Sequence, residues 1–446
     1  MSFDPQRDLD DNTSMWAETA TFPEVLPPLS GEIQADVVII GAGFTGISTA
    51  YHLIRRHPNL KVVILEARRV GNGASGRNGG MALNWINGVD AREPERTRRV
   101  FSFTRSGLDW IDEVIKEHGL NVRYRREGSL EAYTESQRAE EAHKKAEKLA
   151  SWGIPVRYLT GTELEKRVRA EGVLGAVEDP TAGRLHGLDL LFGLLPVILK
   201  LGVSVYENSP VVRIQEGKIH EVTTTGGTVR APTLVLATNG YTPRLGYFKH
   251  GLFPMFSHVV STEPLPMERW RELGWGETAG FTDDMDRIAY GSMSSDGRLL
   301  FGGGGNLAYS YLYGSRTAWT HSAEAQYAFV QSILRKYFPA AKDVKIAHQW
   351  TGALGITMSR VCSMGVIGEH KNVLYAVGYS GHGVVLANLA GKVLCDFYSD
   401  HHDPWLTMPF YQRPLGGIPG EPLRWMGYKI FTAFTGRSPR KYEADR

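Results

Sequence analysis

The sequence predicts an α/β fold: a Rossmann-like parallel-sheet domain into which a second, mostly antiparallel β domain is inserted. Three observations predict it. An apolar strand, a glycine cluster, a helix and a second apolar strand follow one another between Ala35 and Leu65. A further strand–glycine–helix unit, Val373 to about Tyr398, comes more than 300 residues later. Between them lie strand-like runs and turns with no internal repeat. One sheet therefore has to be assembled from distant segments, with the intervening chain folded beside it.

The elements can be justified in order. Residues 1–34 read as an irregular arm, anchored by Trp16, Phe22, Val25 and Leu26, in which Pro23, Pro27 and Pro28 exclude a helix. Ala35–Ile40 and Lys61–Leu65 are short, apolar and rich in β-branched residues, the pattern of strands buried on both faces. The helix between them runs through Ile47, Ala50, Tyr51 and Leu53 and ends before Pro58. Helical periodicity returns in 93–119 and in the charged stretch 136–152. The basic residues at 123–126 and 144–148 read as solvated faces offset by Glu140, Glu141 and Glu147. Leu188–Leu201 reads as a buried helix kinked at Pro196. Strands follow at Val203–Tyr206, Val211–Gln215, Ile219–Thr224 and Thr233–Ala237. Ser322–Tyr337 is an amphipathic helix, and Val373–Val377 a buried strand leading into a last long helix from Val384. In the aromatic tail, 422–435 fits an amphipathic helix. Packing against the body or a second subunit is favoured there over a membrane surface.

Composition excludes several functions. With 446 residues, 42% hydrophobic and 22% charged, the chain is an ordinary globular protein of about two to four domains. A formal charge of +2 is too weak for nucleic acid to be the main partner. Two cysteines, Cys362 and Cys395, cannot staple a secreted scaffold, and no metal site is expected, His401-His402-Asp403 included. No signal-like start and no apolar run of about 18 residues is visible, so a cytoplasmic location without membrane association is expected. A homo-oligomer is compatible with all of this.

The chemistry begins at Gly41-x-Gly43-x-x-Gly46, which follows a buried strand and opens a helix. There Gly41 permits the turn, Gly43 lets a pyrophosphate approach the backbone, and Gly46 lets helix and strand pack closely. The helix N-terminus adds N–H donors and partial positive charge, and brings Phe44 and Thr45 to the phosphates. Glu66 ends the second strand 20 residues after Gly46, where an acid takes a ribose hydroxyl and disfavours a 2′-phosphate. The fingerprint by itself does not separate NAD from FAD.

Several segments resemble the D-amino-acid oxidase/glycine oxidase superfamily of FAD enzymes. Glu66-Ala67-Arg68, followed by Ala74-Ser75-Gly76-Arg77-Asn78-Gly79-Gly80, resembles the family's passage from ribose to flavin. Thr238-Asn239-Gly240 resembles its strand end beside the cofactor, and Gly381-His382-Gly383-Val384 its C-terminal FAD motif. The likeness covers roughly 35–400 and is strongest to the gamma-glutamylputrescine oxidoreductase-like branch, through 74–80, 356–360, 380–383 and 389–394. The resemblance implies non-covalent FAD held by these residues, with Arg77 favouring an anionic reduced ring and the backbone of Val212 near the adenine. It implies oxidation of a primary or secondary amine by hydride transfer to flavin, an imine hydrolysed to a carbonyl, and O2 as acceptor giving H2O2. An amine dehydrogenase with a quinone or protein acceptor, or a D-amino-acid/glycine-type oxidase, is the alternative. A flavin subunit that only relays electrons, or an NAD-linked dehydrogenase, is the rival from outside the class.

Departures from the family pattern matter. Leu354 stands where glycine oxidase-like members carry the arginine that pairs with a substrate carboxylate, so a simple α-amino acid is disfavoured. Cys362 lies about ten residues beyond the position of a flavin-linking cysteine, and 74–80 holds no histidine. No catalytic residue is assigned with certainty. Substrate-pocket candidates are Trp350, Arg360, His258 and Tyr290, with Tyr309, Tyr311, Tyr313 and Trp319 as further members of an aromatic cage for an amine. The expected domains are an arm (1–29), an FAD domain (30–95, 180–252 and 352–400), a substrate domain (96–179 and 253–351) and a tail (401–446).

Overall fold

The computed structural model describes residues 13–276, 278 and 280–435. At its centre is a six-stranded sheet built from chain segments far apart in sequence. Its order is Ser204–Tyr206, Val62–Leu65, Val37–Ile40, Thr233–Leu236, Val373–Val377 and Ser363–Ile367. All neighbours are parallel except the last pair. The four inner strands are buried along their whole lengths, apart from the half-buried first residue, Thr233, of one. This is why they read as unbroken apolar runs and not as alternating ones. Helices Phe44–Arg56 and Gly383–Tyr398 pack against each other over this sheet, at a contact so close that a Cβ on Gly391 would lie 2.2 Å from Ser48 Oγ. Ser48 Oγ donates to the Asn388 carbonyl across the same contact.

The second large sheet has nine strands. Its path runs from Tyr309–Ser310 through Phe253–Thr262, Leu299–Gly303, Ala289–Met293, Gly280–Asp283, Ser129–Tyr133 and Gly175–Asp179 to Arg157–Leu159. The long strand Ile346–Ile356 pairs antiparallel with Phe253–Thr262. Its pairings are antiparallel apart from Gly280–Asp283 with Ser129–Tyr133. A separate apolar core, including Trp275, Phe281, Phe301 and Phe338, lies beneath it.

Local structure differs from the sequence reading at several points. Within the arm, Met15–Thr19 is helical, capped by Ser14 Oγ accepting from the Ala17 N–H, and Gly31–Gln34 is a strand parallel to Gly227–Ala231. The three prolines lie in the coil between them. Nor are the basic residues at 123–126 a uniform solvated face. Arg123 binds Asp189 (Nε–Oδ2 2.6 Å) and the Thr19 carbonyl, and Arg126 binds Asp109 and Asp112. Among the described residues no helix is long and apolar enough to cross a membrane.

Candidate functional site

A cavity of about 1250 Å3 opens at the carboxyl edge of the six-stranded sheet and continues against the nine-stranded one. It exceeds the roughly 300–1,000 Å3 of ordinary small-molecule pockets, a size suited to a ligand as large as a dinucleotide. Its first wall is the turn between Val37–Ile40 and the helix Phe44–Arg56. Gly41 is in the left-handed region (φ 103°), and a Cβ there would meet the Ala237 carbonyl at 3.0 Å. Gly43, Phe44 and Thr45 line the cavity, and Ser75 Oγ accepts from the Phe44 N–H at 3.0 Å. Gly46 stands behind the wall, where a Cβ would lie 1.9 Å from the Gly41 carbonyl oxygen. It holds the helix against the turn.

Glu66 and Ala67 are on the wall; Arg68 is just behind it. The carboxylate of Glu66 accepts from the Ala42 N–H (2.8 Å) and the Arg68 N–H (3.0 Å). Burial pushes its pKa up, and those two N–H groups pull it back. It therefore ties the glycine turn to the next strand. Farther in come Ala74, Ser75, Arg77, Asn78 and Gly79, whereas Gly80 faces Trp16 instead. Asn78 holds this loop in shape, its Nδ2 donating to the Ser75 carbonyl (2.7 Å) and its Oδ1 accepting from the Gly80 N–H (2.8 Å).

Thr238, Asn239 and Gly240 line the cavity where Thr233–Leu236 ends. Asn239 Oδ1 accepts from the Gly378 N–H at 2.9 Å, stitching this strand end to the C-terminal motif. Gly381, His382, Gly383 and Val384 are also on the wall, at the start of the helix Gly383–Tyr398. Two helix N-termini thus border one cavity, the arrangement suited to an anionic or electron-accepting ligand. Val212 is not on the wall: its side chain is exposed, and its neighbours Ser209 and Val211 line the cavity.

The substrate-pocket candidates separate. Tyr290 lines the cavity, packed on Gly79, with its hydroxyl 2.9 Å from Ser257 Oγ, and burial pushes its phenol up to about 12. Arg360 lines it from an exposed loop with positive φ (59°). Trp350 and His258 are off the wall. The Trp350 indole is fully buried and donates to the Arg77 carbonyl at 3.0 Å, because the Arg77 loop covers that part of its strand. His258 points away from the cavity because Ser257 points into it, and successive strand residues alternate faces. Its Nδ1 meets Thr351 Oγ1 at 2.9 Å, its ring packs on Trp319 and Tyr327, and burial lowers its pKa to about 4. Of the proposed aromatic cage only Tyr290 and Tyr309 reach the cavity. Tyr311 bonds Glu421, Tyr313 faces Trp425 on the surface, and Trp319 packs on Phe256.

Leu354 does line the cavity, on the strand Ile346–Ile356 opposite Met255. Cys362 does not; it is buried, and burial pushes its thiol up to about 12. Wall residues that sequence reasoning missed include Trp85, Asn87, Phe101, Arg244 and Arg413. They stand in loops, on a helix face or in the tail, with no motif to mark them. Among the described residues no group of three His, Cys, Asp or Glu side chains could hold a metal ion.

The glycine-led turn, the two helix N-termini, Glu66 and the cavity volume fit an FAD molecule. Comparison with known proteins agrees. The FAD dependent oxidoreductase (DAO) family model matches residues 36–397. Gamma-glutamylputrescine oxidoreductase of Escherichia coli (strain K12) is 31% identical over 433 residues, covering 94% of this chain and 97% of that protein. Glycine oxidase of Geobacillus kaustophilus is 24% identical over 387 residues, or 84% of this chain and 96% of that protein. Its crystal structure superimposes with a TM-score of 0.73 at 20% identity, covering 86% of this chain and 100% of that one. The L-proline dehydrogenase structure from P. horikoshii superimposes with a TM-score of 0.70 at 20% identity, over 86% of this chain and 96% of that one. Fold, cavity and the match over most of its length agree that the chain belongs to the FAD-dependent oxidoreductase family.

Proposed function

We propose that this chain oxidises the C–N bond of an amine other than a simple α-amino acid, releasing an imine that water hydrolyses to an aldehyde or ketone. The observation that carries this reading is the continuity of the cavity, from the glycine-led helix to a floor made by Tyr290, Tyr309, Ala353 and Leu354. Bound FAD supplies the ring that accepts the hydride. Gly41, Gly43, Phe44 and Thr45 would hold the pyrophosphate, Glu66 the ribose, and Ser75 to Gly79 with Gly381 to Val384 the flavin end. Leu354 offers no cation to an α-carboxylate, and the E. coli relative is named for a gamma-glutamylated amine. Tyr290 keeps its proton at neutral pH, so it orients the substrate by a hydrogen bond and takes no proton from it. The apolar floor favours the neutral amine, the form able to give up a hydride.

O2 is the acceptor we propose, with hydrogen peroxide as product, and the compartment is a reducing cytoplasm, in keeping with two free, buried thiols. The test is an anaerobic absorbance spectrum of the holoprotein, recorded while gamma-glutamylated amines, N-methylated amines, polyamines and glycine are added in turn. Bleaching by one of the amine classes, reversed by air with peroxide release, supports the reading. Bleaching by glycine alone would transfer the chain to the amino-acid oxidases. Bleaching that air leaves unchanged would move the acceptor to a quinone or a protein.

A further inference from the structure

The C-terminal helix Leu423–Phe434 is amphipathic in the reverse of the usual sense. The side turned to the body is fastened by polar bonds. Tyr428 Oη donates to the Tyr309 carbonyl at 2.8 Å, and Asn306 Nδ2 donates to the carbonyls of Thr432 and Thr435. Arg424 donates to Ser315 Oγ and the Pro419 carbonyl, while Glu421 accepts from the Gly314 and Trp425 N–H groups. Arg287 sits over the Phe431 ring at 5.1 Å and fixes the next turn. The opposite side carries Leu423, Met426, Ile430 and Phe434, spaced three to four residues apart. None of the twelve residues is buried, and Phe434 is 86% exposed.

A surface helix of a globular protein turns its apolar stripe inward. This one turns it outward and is locked in that orientation. Six of the seventeen exposed large hydrophobic residues among the described residues fall within it, and exposed Leu307 and Tyr313 extend the patch onto the body. Charge decides what covers it. The helix carries Arg424 and Lys429 and no acidic side chain. Two copies meeting through this face would bring two such segments together. An anionic surface would attract them.

We propose that this helix seats the protein on an anionic lipid bilayer, lying in the plane of the interface with Leu423, Met426, Ile430 and Phe434 in the acyl boundary. Trp425, with Lys429 5.5 Å from its ring, suits the headgroup level. Twelve residues are far fewer than the ~20 that a spanning helix needs, so the attachment is peripheral. The packing on the body expected from sequence holds for one side of the helix, which Asn306, Tyr309 and Ser315 bind; the proposal concerns the outward side.

Holoprotein is mixed with vesicles of phosphatidylcholine alone, or of equal parts phosphatidylcholine and phosphatidylglycerol, and sedimented. The wild type should pellet with the anionic vesicles, pellet far less with the neutral ones, and be released by high salt. The double variant Met426→Glu, Ile430→Glu should remain in the supernatant with its flavin absorbance and amine oxidation intact. Changing Lys429 to Gln should lower partitioning by roughly fivefold. Equal pelleting with both vesicles, no pelleting at all, or a double variant that pellets like the wild type would overturn the proposal. So would a dimer, seen by sedimentation velocity without vesicles, that the double variant dissolves; that result would give the face to a second copy.

Discussion

Gly46 packs tightly behind the cofactor end of the cavity, and Gly46→Ala tests whether the cradle works as described. The new methyl would lie 1.9 Å from the Gly41 carbonyl oxygen, 3.0 Å from its carbon and 3.4 Å from Ile39 Cγ2. Ordinary contact begins at 3.4 Å, so helix and turn must separate by about 1.5 Å. Both atoms of the clash belong to backbone, and no side-chain rotation relieves it. Rotating the 41–42 peptide instead would withdraw the Ala42 N–H from Glu66. A free protein that relieves this strain by displacing the turn must restore it to bind FAD, and that costs up to about 3 kcal/mol, the upper end of an overpacking penalty. That is on the order of a 100-fold rise in the FAD dissociation constant. The assay is flavin fluorescence on titration of the apoprotein, with circular dichroism to show the variant is folded. Gly416→Ala serves as control, since a Cβ there meets nothing within 4 Å. A folded Gly46→Ala protein that binds FAD within threefold of wild type would refute the cradle.

Trp350→Phe removes the donor to the buried Arg77 carbonyl, and should cost about 1–3 kcal/mol in denaturant unfolding while leaving the substrate selected in the amine panel unchanged. His258 has its folded pKa lowered to about 4 by burial, so the unfolded chain binds the extra proton first; its contribution to stability is complete above about pH 6.5 and is lost as pH falls toward 4. Between pH 6.5 and 5 that is roughly 2 kcal/mol, and His258→Asn should lessen the slope of stability against pH by that share, since burial lowers His52 and His186 to about 4 as well. Tyr290→Phe should slow flavin reduction by its lost hydrogen bond without moving any limb of the pH–rate profile below about pH 11, because burial holds the phenol near 12. A wild-type limb near pH 10 that disappears in the variant would contradict this. Glu178 is buried between Arg157 and Arg167, and Glu178→Gln should cost about 3–5 kcal/mol in stability with FAD affinity retained.

The cofactor end was legible in the sequence because backbone geometry dictates its residues. A turn that must admit a phosphate and pack a helix on a strand leaves little besides glycine at 41, 43 and 46, and those three can be recognised by spacing alone. The substrate end was not. Whether Trp350 faces the cavity depends on the Arg77 loop lying over it, a contact between residues 273 positions apart. His258 and Ser257 differ in function only through strand alternation, and which of the two points inward is set by the pairing with Ile346–Ile356. The strands Ser129–Tyr133 and Gly175–Asp179 carry buried Glu178 and half-buried Glu131, so their apolar pattern is broken and they escaped notice. In the tail, amphipathic spacing identified the helix; only its contacts with Asn306, Ser315 and Tyr309 reveal which side faces out.

The strand order of the six-stranded sheet also has a consequence for synthesis on the ribosome. Val37–Ile40 and Val62–Leu65 emerge early, yet the partner on the other side of Val37–Ile40 is Thr233–Leu236, and that strand in turn waits for Val373–Val377. At about 5–20 residues per second, the apolar edge of the nascent βαβ unit stays uncovered for roughly ten seconds or more, and Thr233–Leu236 for several seconds after it. During that interval an open parallel edge is a template for the wrong strand. The chain should therefore depend on holdase chaperones while it is being made, more than its finished stability would suggest. Faster elongation between residues 237 and 372 should raise its soluble yield.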